Sequence, residues 1–275
     1  MIENFVPFGW PVILYLTFTG MACGACLSAL FFTRKNYKKT LVRKSLLLAV
    51  LSLSVGGCFL LTDLDAVGNL YHVFTAFNTS SAIAWGSRII CIFALLLIYI
   101  LLFYKSTEKI SSIPLILLLL AALFIGVYPA LVLMQSTGRP LWDTFLLIPL
   151  FLLLGSHSGF SLVQLFSAAE WTGEQRAVKI LDFTFIVLQI ILVAGILFTS
   201  AVNWQSLSPV LSDSSLLTWG GVILAAWLMP ILLSLKPADK KIVRIRQLSF
   251  IGGALALRAV IVICGQDPRT FIGVL

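Results

Sequence analysis

Charged residues are scarce in this sequence: only 11% of its 275 residues are Asp, Glu, Lys or Arg. Soluble domains carry roughly 25% charged residues, so this composition excludes a soluble enzyme or a nucleic-acid-binding domain. The two histidines and five cysteines show neither the spacing of metal ligands nor that of a disulfide framework. We therefore expect no haem and no iron–sulfur cluster in this protein.

Apolar residues are abundant instead, at 60% of the sequence, with a mean hydropathy of +1.04. A helix needs about 20 apolar residues to cross a bilayer, and eight unbroken stretches qualify. Such runs predict an all-α membrane protein and argue against a β-barrel, whose strands alternate in polarity. The predicted spans are 8–32, 43–61, 85–104, 112–133, 142–165, 180–201, 216–235 and 247–264.

The distribution of Lys and Arg predicts the orientation of the spans. Fifteen of the nineteen basic residues fall in four loops on one side, the last of these loops ending at Arg246. Basic loops remain in the cytoplasm, so we expect a multi-pass protein of the cell inner membrane with both termini extracytoplasmic. The longest stretch between spans, about residues 62–84, is too short for a soluble catalytic module.

Tryptophans lie at the ends of several predicted spans, as expected for the aromatic belts at the two membrane surfaces. They are Trp10, Trp85, Trp142, Trp204 and Trp219.

One group of polar residues lies near the outer ends of the spans. Asp63, Asp65 and His72 follow span two, Arg88 lies one turn into span three, and Tyr128 lies near the outer end of span four. A helix N-terminus disfavours a cation, so Arg88 is expected to pair with Asp63 or Asp65. These groups are interpreted either as a functional site or as interfacial side chains that position the helices.

A second group lies deeper, because His157, Gln189 and Arg258 occur at similar depths in spans five, six and eight. Asp182 and Glu170 lie between them and the cytoplasm. Ionisable groups in hydrocarbon are costly, which makes them candidates for function. Two interpretations stay open: a proton relay, or a packing network in which Arg258 is neutralised by Asp182 or caps backbone carbonyls.

The first span contains Cys23 and Cys26 in a CxxC arrangement. Gly20 and Gly24 are four residues apart on the same helix. This combination favours a small-residue packing face over a redox pair.

Four stretches of the sequence together resemble one family. The first is Trp10-Pro-Val-Ile-Leu-Tyr-Leu-Thr-Phe-Thr-Gly20-Met-Ala-Cys-Gly24. The second runs through Asp63-Leu64, Tyr71-His72, Phe77-Asn78-Thr79-Ser80-Ser81 and Trp85-Gly86-Ser87. The third comprises Tyr128-Pro-Ala-Leu-Val-Leu, Pro140-Leu-Trp142 and Pro149-Leu-Phe-Leu, and the fourth Gly252-Gly253, Leu257-Arg258 and Gly265-Gln266. Their order is similar to that in the NrfD/PsrC-type integral membrane subunits of polysulfide, nitrite and related reductases.

This resemblance implies a single membrane domain, residues 1–275, built as two four-helix bundles, 1–134 and 135–275. It further implies a quinone, either menaquinone or ubiquinone, bound by the first bundle near the outer face. The expected partners are a ferredoxin-like subunit with four iron–sulfur clusters and a catalytic subunit, often a molybdopterin enzyme.

The resemblance also suggests roles for individual residues. Asp63, aided by His72, is expected to accept a proton from quinol while Arg88 keeps the carboxylate ionised. Tyr128 is expected to donate a hydrogen bond to a quinone oxygen, and Tyr15 and Thr19 on the first helix are further candidate contacts.

The sequence departs from the family pattern at two places: Asp65-Ala66-Val67 replaces Gly-Arg-Pro, and Pro129-Ala130 replaces Thr-Gly. Two other functions stay open, a secondary transporter and a purely structural anchor. The two halves show no convincing sequence repeat of the kind that many transporters have.

Overall fold

The computed structural model describes residues 8–35, 39–62, 82–103, 112–136, 138–167, 175–199, 204–235 and 239–270. Eight helices in these ranges are long and apolar enough to cross a membrane, which confirms the predicted all-α membrane protein with eight spans. The elements are α1 Trp10–Arg34, α2 Lys39–Thr62, α3 Ala82–Phe103, α4 Ser112–Met134, α5 Leu147–Ser167, α6 Gln175–Thr199, α7 Trp204–Asp213, π1 Leu216–Leu228, α8 Met229–Leu235 and α9 Lys240–Gln266.

The structure differs from the predicted spans mainly in the second half of the protein. Residues 204–213, left between spans six and seven by the prediction, form the short helix α7. Span seven is π1 continued by α8, and the Met229 amide at their junction donates to Leu224 O, five residues back. Helix α9 begins at Lys240 and not at residue 247. The placement of Arg246 in a cytoplasmic loop is therefore wrong, because Arg246 lies almost two turns inside a helix and is 1% exposed.

Helix α1 lies among several others, packing on α2, α4 and α5 and also contacting α9. Against α5 it presents Gly20 and Gly24, which face Gly155 and Gly159 in the same order, so the two helices run in the same direction. A Cβ on Gly24 would overlap the carbonyl oxygen of Gly155. The predicted small-residue packing face is thus confirmed, and we call this α1–α5 contact the glycine seam.

Trp142, in the turn before α5, does not belong to an aromatic belt, and that prediction is wrong. Its side chain is fully buried, and Nε1 donates to Ile261 O at 3.0 Å. Gly265 makes this possible, because a Cβ there would overlap the indole ring. The side-chain amide of Gln266 accepts a hydrogen bond from Phe8 N and donates one to Phe8 O, each at 3.2 Å. These two bonds link the end of α9 to the residues before α1. Trp10, Trp85 and Trp219, in contrast, are about half exposed, as the prediction requires.

Arg139 lies beside this contact, outside the spans. Its guanidinium is 4.6 Å from the centre of the Trp142 ring, and Nη1 is 3.4 Å from Gly265 O. Partial burial lowers the pKa of Arg139 from its ordinary value, because loss of hydration disfavours the charged form.

Candidate functional site

Three residues predicted to contact a quinone come together between the start of α1 and the end of α4. Tyr15 and Tyr128 are 5% and 6% exposed and share a buried cluster with Val12 and Leu16. The side chains of the two tyrosines interact, and Tyr15 also adjoins Thr19, one turn further along α1. The structure therefore places Tyr15, Thr19 and Tyr128 at one location.

Two glycines bring the neighbouring helices close to these side chains. Gly86 on α3 packs against Tyr128 so closely that a Cβ there would overlap the phenol ring. Gly56 on α2 also allows close packing, because a Cβ added there would lie only 3.3 Å from Thr19 Oγ1. We call Tyr15, Thr19, Gly56, Gly86 and Tyr128 the outer site. The glycine of the Trp-Gly-Ser stretch thus has a physical role, which is to make room for the Tyr128 ring.

Thr19 carries the chemical signal of this site. Its hydroxyl is fully buried and bonds to no backbone group of the described residues, and the polar group beside it is the Tyr15 side chain. Thr17, two residues earlier, instead donates to Ile13 O at 2.8 Å, the usual arrangement for a hydroxyl in a membrane helix. Buried polar groups are nearly always hydrogen-bonded. Hydroxyls both donate and accept hydrogen bonds, so the Thr19 and tyrosine hydroxyls fit the oxygens of a quinone or quinol.

Arg88 lies near the start of α3, where its Nη1 donates to Ala84 O at 2.8 Å. This bond holds the guanidinium close to its own helix. The predicted partners Asp63 and Asp65, as well as His72, lie outside the described residues, so the ion pair and the proton acceptor stay predictions.

A second polar cluster lies among α5, α6 and α9, centred on Asp182, which is 1% exposed. Asp182 Oδ2 is 3.3 Å from Arg246 Nη2, and Oδ1 is 3.7 Å from His157 Nε2. Arg246 Nη1 is also 3.5 Å from the Ser234 hydroxyl on α8. One buried carboxylate therefore faces a guanidinium on one side and an imidazole on the other.

Three glutamines extend this cluster. Gln189 Nε2 is 3.1 Å from His157 Nδ1, so these two predicted relay residues are in direct contact. Gln247 Nε2 donates to Gln164 Oε1 at 3.0 Å and is 3.4 Å from Asp182 Oδ2. We call His157, Gln164, Asp182, Gln189, Arg246 and Gln247 the inner cluster. Glu170, the remaining predicted member between this depth and the cytoplasm, lies outside the described residues.

Arg258 does not join the inner cluster, and the interpretation in which Asp182 neutralises it is wrong, because Asp182 pairs with Arg246. It lies instead at the glycine seam, where a Cβ on Gly20 would overlap its guanidinium and lie 3.3 Å from Gly155 Cα. The Phe151 ring is 5.9 Å away. The side chain is 1% exposed, and within the described ranges Nε and Nη1 have no hydrogen-bond partner.

Arg246 and Gln247 were missed by sequence analysis as members of a buried site. Sequence analysis missed Arg246 because it ends a run of basic residues and the predicted span begins directly after it, at residue 247. The predicted span already contained Gln247, and counting one further helical turn back from its start would have placed Arg246 inside the helix as well.

The sequence is similar to known proteins over nearly its whole length. Residues 2–268 match the family model described as "Polysulphide reductase, NrfD". A polysulfide reductase subunit of Wolinella succinogenes, its C component, is 26% identical over 311 residues, which cover 98% of this protein and 96% of the relative. The family resemblance predicted from the four stretches is thereby confirmed.

Proposed function

Because the protein belongs to the polysulphide reductase NrfD family, we propose that it is the membrane anchor subunit of a multi-subunit reductase. In this proposal it exchanges electrons between membrane quinol or quinone and an extracytoplasmic iron–sulfur subunit. The similar protein bears the name of one component of a polysulfide reductase, which supports a role beside other subunits. The eight apolar helices provide the membrane part of such a complex.

The outer site is the proposed place of quinone binding, and the buried Thr19 hydroxyl is the observation that carries this proposal. Tyr128 would donate to one quinone oxygen, with Tyr15 holding the Tyr128 phenol and Thr19 bonding from the next turn of α1. A bound quinol would supply two electrons and two protons on oxidation. The apolar cluster around the two tyrosines excludes water and strengthens each hydrogen bond.

The proton acceptor in this proposal is Asp63, with His72 beside it and Arg88 keeping the carboxylate ionised. These roles rest on the family resemblance and on the position of Arg88 almost two turns inside α3. The residues that would release or take up protons thus follow α2 directly in the sequence.

The proposed setting is the inner membrane, with both termini extracytoplasmic and two four-helix bundles, residues 1–134 and 135–275. The basic loops support this orientation through the positive-inside rule. The outer site then faces the side where a ferredoxin-like subunit would dock and pass electrons to a catalytic subunit, such as a molybdopterin enzyme.

The proposal is tested by substituting Tyr128→Phe and Thr19→Val in the assembled complex. Turnover is measured twice, once with a quinol and once with an artificial dye that feeds electrons directly to the partner subunits. We expect quinol turnover to fall by about 100-fold in Tyr128→Phe, the usual effect of losing a preorganised donor. Dye-linked turnover should stay at the wild-type rate.

Tyr99→Phe is the matched control, because Tyr99 on α3 is 44% exposed and packs its ring against Phe103, away from the outer site. Quinol turnover at the wild-type rate in both Tyr128→Phe and Thr19→Val would contradict the site and favour a purely structural anchor.

A further inference from the structure

A groove of about 320 Å³ lies where α1, α5 and α6 meet. Helix α1 lines it with Gly24, Leu27, Ser28 and Phe31, which follow one another on a single face of the helix. Two lining residues, Phe31 on α1 and Leu181 on α6, are 52% and 40% exposed, so the groove is open to the outside of the helix bundle. We call it the lateral groove. Its volume is within the roughly 300–1,000 Å³ of small-molecule sites.

The lateral groove exists because two helices flank a third without closing on each other. Both α1 and α6 pack on α5, and they hardly contact each other. Of the described helices, only α5 packs extensively on α6. Small residues leave the space between α1 and α6 unfilled, since Gly24 on the first and Ala177 on the second both line the groove. The side of α6 that faces α1 is therefore left uncovered by the described helices.

The lining of the lateral groove is almost entirely apolar, with side chains such as Leu27, Phe160 and Val178. The Ser28 hydroxyl is satisfied within its own helix, because it donates to Gly24 O at 2.8 Å. A cavity that offers so few polar partners does not hold ordered water. The groove therefore suits a hydrocarbon chain.

The length of the lateral groove limits what can occupy it. Gly24 and Arg34, the last residue of α1, are ten residues apart, which corresponds to about 15 Å along the helix. This length is half of the roughly 30 Å hydrocarbon core of a bilayer. A transmembrane helix of a partner protein would need a face along the whole thickness. An acyl chain of a lipid, in contrast, extends through only one leaflet, and this is the depth that the groove has.

Two basic residues lie at the end of the lateral groove. Arg34 and Lys35 follow Phe31 by three and four residues, so they continue the same face of α1. The Lys35 amide donates to Phe31 O at 3.0 Å, which keeps it in register with the helix. Both side chains are exposed, and neither forms an ion pair with another described residue. Guanidinium and ammonium groups are the usual donors to phosphate oxygens.

We propose that the lateral groove binds one anionic phospholipid of the cytoplasmic leaflet. One acyl chain lies between α1 and α6, and the phosphate diester accepts hydrogen bonds from Arg34 and Lys35. The anionic headgroups of this leaflet attract basic residues at the ends of membrane helices, and the basic loops place this end of α1 at the cytoplasm. The bound lipid covers the open side of α6 and holds that helix against the rest of the protein. This site goes beyond the proposed function, because it involves neither quinone nor a partner subunit.

The headgroup contact is tested with the full-length protein, purified in mild detergent and stripped of lipid. Phosphatidylglycerol and phosphatidylcholine with identical acyl chains are titrated separately, and bound lipid is counted by native mass spectrometry. Wild-type protein should bind one phosphatidylglycerol more tightly than phosphatidylcholine. Removal of both charges, Arg34→Gln with Lys35→Gln, should weaken phosphatidylglycerol binding by roughly 30-fold and leave phosphatidylcholine binding unchanged.

Lys240→Gln with Lys241→Gln is the matched control. It removes the same charge from exposed positions at the start of α9, a helix that contributes no residue to the lateral groove. Phosphatidylglycerol binding should stay at the wild-type affinity. An equal loss in the two double variants would show that binding follows net charge alone and would overturn the proposal.

The acyl-chain contact is tested by filling the lateral groove. Ala177 is exposed, so Ala177→Trp places an indole in the groove without disturbing a packed core, and it should weaken binding of both lipids. Ile191→Trp is the control, because Ile191 is a 58% exposed residue of the same helix outside the groove. Circular dichroism checks that each variant is folded.

Three results would overturn the proposal of a lipid site. They are equal binding of the two lipids by wild-type protein, wild-type affinity in a folded Ala177→Trp protein, and displacement of the bound phosphatidylglycerol by added menaquinone. The last result would assign the lateral groove to an isoprenoid tail. Binding is measured without turnover, so each of these results leaves the proposed quinone exchange at the outer site unaffected.

Discussion

The helices α1–α4 and the helices α5–α9 have their polar clusters at opposite ends. In α1–α4, the outer site lies at one end, and the other end is filled by apolar side chains such as Phe93, Leu97 and Leu118. In α5–α9, the end near Trp142 is apolar, and the inner cluster lies at the other end. Each half thus combines one polar site with one rigid apolar core, and the order of the two is reversed.

The glycine seam allows the two halves to be compared residue by residue. Gly20 faces Gly155 and Gly24 faces Gly159, so each pair is separated by 135 residues. The residue 135 positions before His157 is Ala22, which is also fully buried. At equivalent places beside the seam, one half therefore has a methyl group and the other an imidazole. The two positions beside the seam therefore differ in side-chain chemistry.

A large loss of stability is expected at the glycine seam. Gly24→Ala would force a Cβ into the carbonyl oxygens of Gly155 and Ser156, and backbone atoms cannot move aside as a side chain can. Overpacking usually costs about 1–3 kcal/mol, occasionally more, and we expect the upper end of that range or beyond. Thermal unfolding in detergent and the yield of folded protein measure the loss.

Gly252→Ala provides the control for the seam, because a Cβ at Gly252 on α9 meets nothing within 4 Å. Equal stability of the Gly24→Ala and Gly252→Ala proteins would show that the two halves are not held together by close contact of these glycines.

The second prediction concerns the ion pair between Asp182 and Arg246 in the inner cluster. Arg246→Met should destabilise the protein by about 3–5 kcal/mol, because it leaves the buried carboxylate of Asp182 without its cation. Asp182→Asn should lower the free energy of unfolding by less. The unpaired guanidinium of Arg246 lies only about two turns inside α9 and extends toward Ser234 and the helix end, where a charge is more easily tolerated.

The two substitutions together form a double-mutant cycle. Arg246→Met combined with Asp182→Asn should be more stable than Arg246→Met alone, because no unpaired charge remains. Losses of stability that simply add would contradict a buried ion pair.

The sequence-based predictions were reliable for features that composition alone determines, such as the number of spans. They failed for residues whose positions depend on contacts with other parts of the protein. Eight spans follow from apolar runs, because the bilayer requires a fixed helix length. Trp142 was misplaced because its burial depends on the absence of a Cβ at Gly265, more than a hundred residues away. Arg246 was misplaced because its position in a run of basic residues looks like a loop, whereas α9 extends about two turns into that run.

The candidate sites show the same division. The family resemblance named Tyr15 and Tyr128 as candidate contacts of one quinone but did not predict that they touch each other, and the pattern of apolar residues does not relate α1 to α4. The contact between His157 and Gln189 followed from equal depth on neighbouring spans. Depth did not reveal that Arg258 would lie against α1 instead of joining that pair, because depth along a helix says nothing about which side of it a residue faces.

The smallest predicted effect concerns the polar end of the first half and leaves its polar groups unchanged. Gly86→Ala adds one methyl group against the Tyr128 ring, which must move because a Cβ at Gly86 would overlap it. A displacement of about 1 Å in a binding site costs up to roughly 100-fold in turnover. We expect kcat/KM for quinol to fall by roughly 10- to 100-fold, with dye-linked turnover unchanged. Gly57→Ala, next to Gly56 on α2 but with nothing within 4 Å of its Cβ, should keep the wild-type value.

If Gly86→Ala and Gly57→Ala behave alike, the position of the Tyr128 ring does not govern the reaction. The two ends of the first half would then differ in polarity without differing in function.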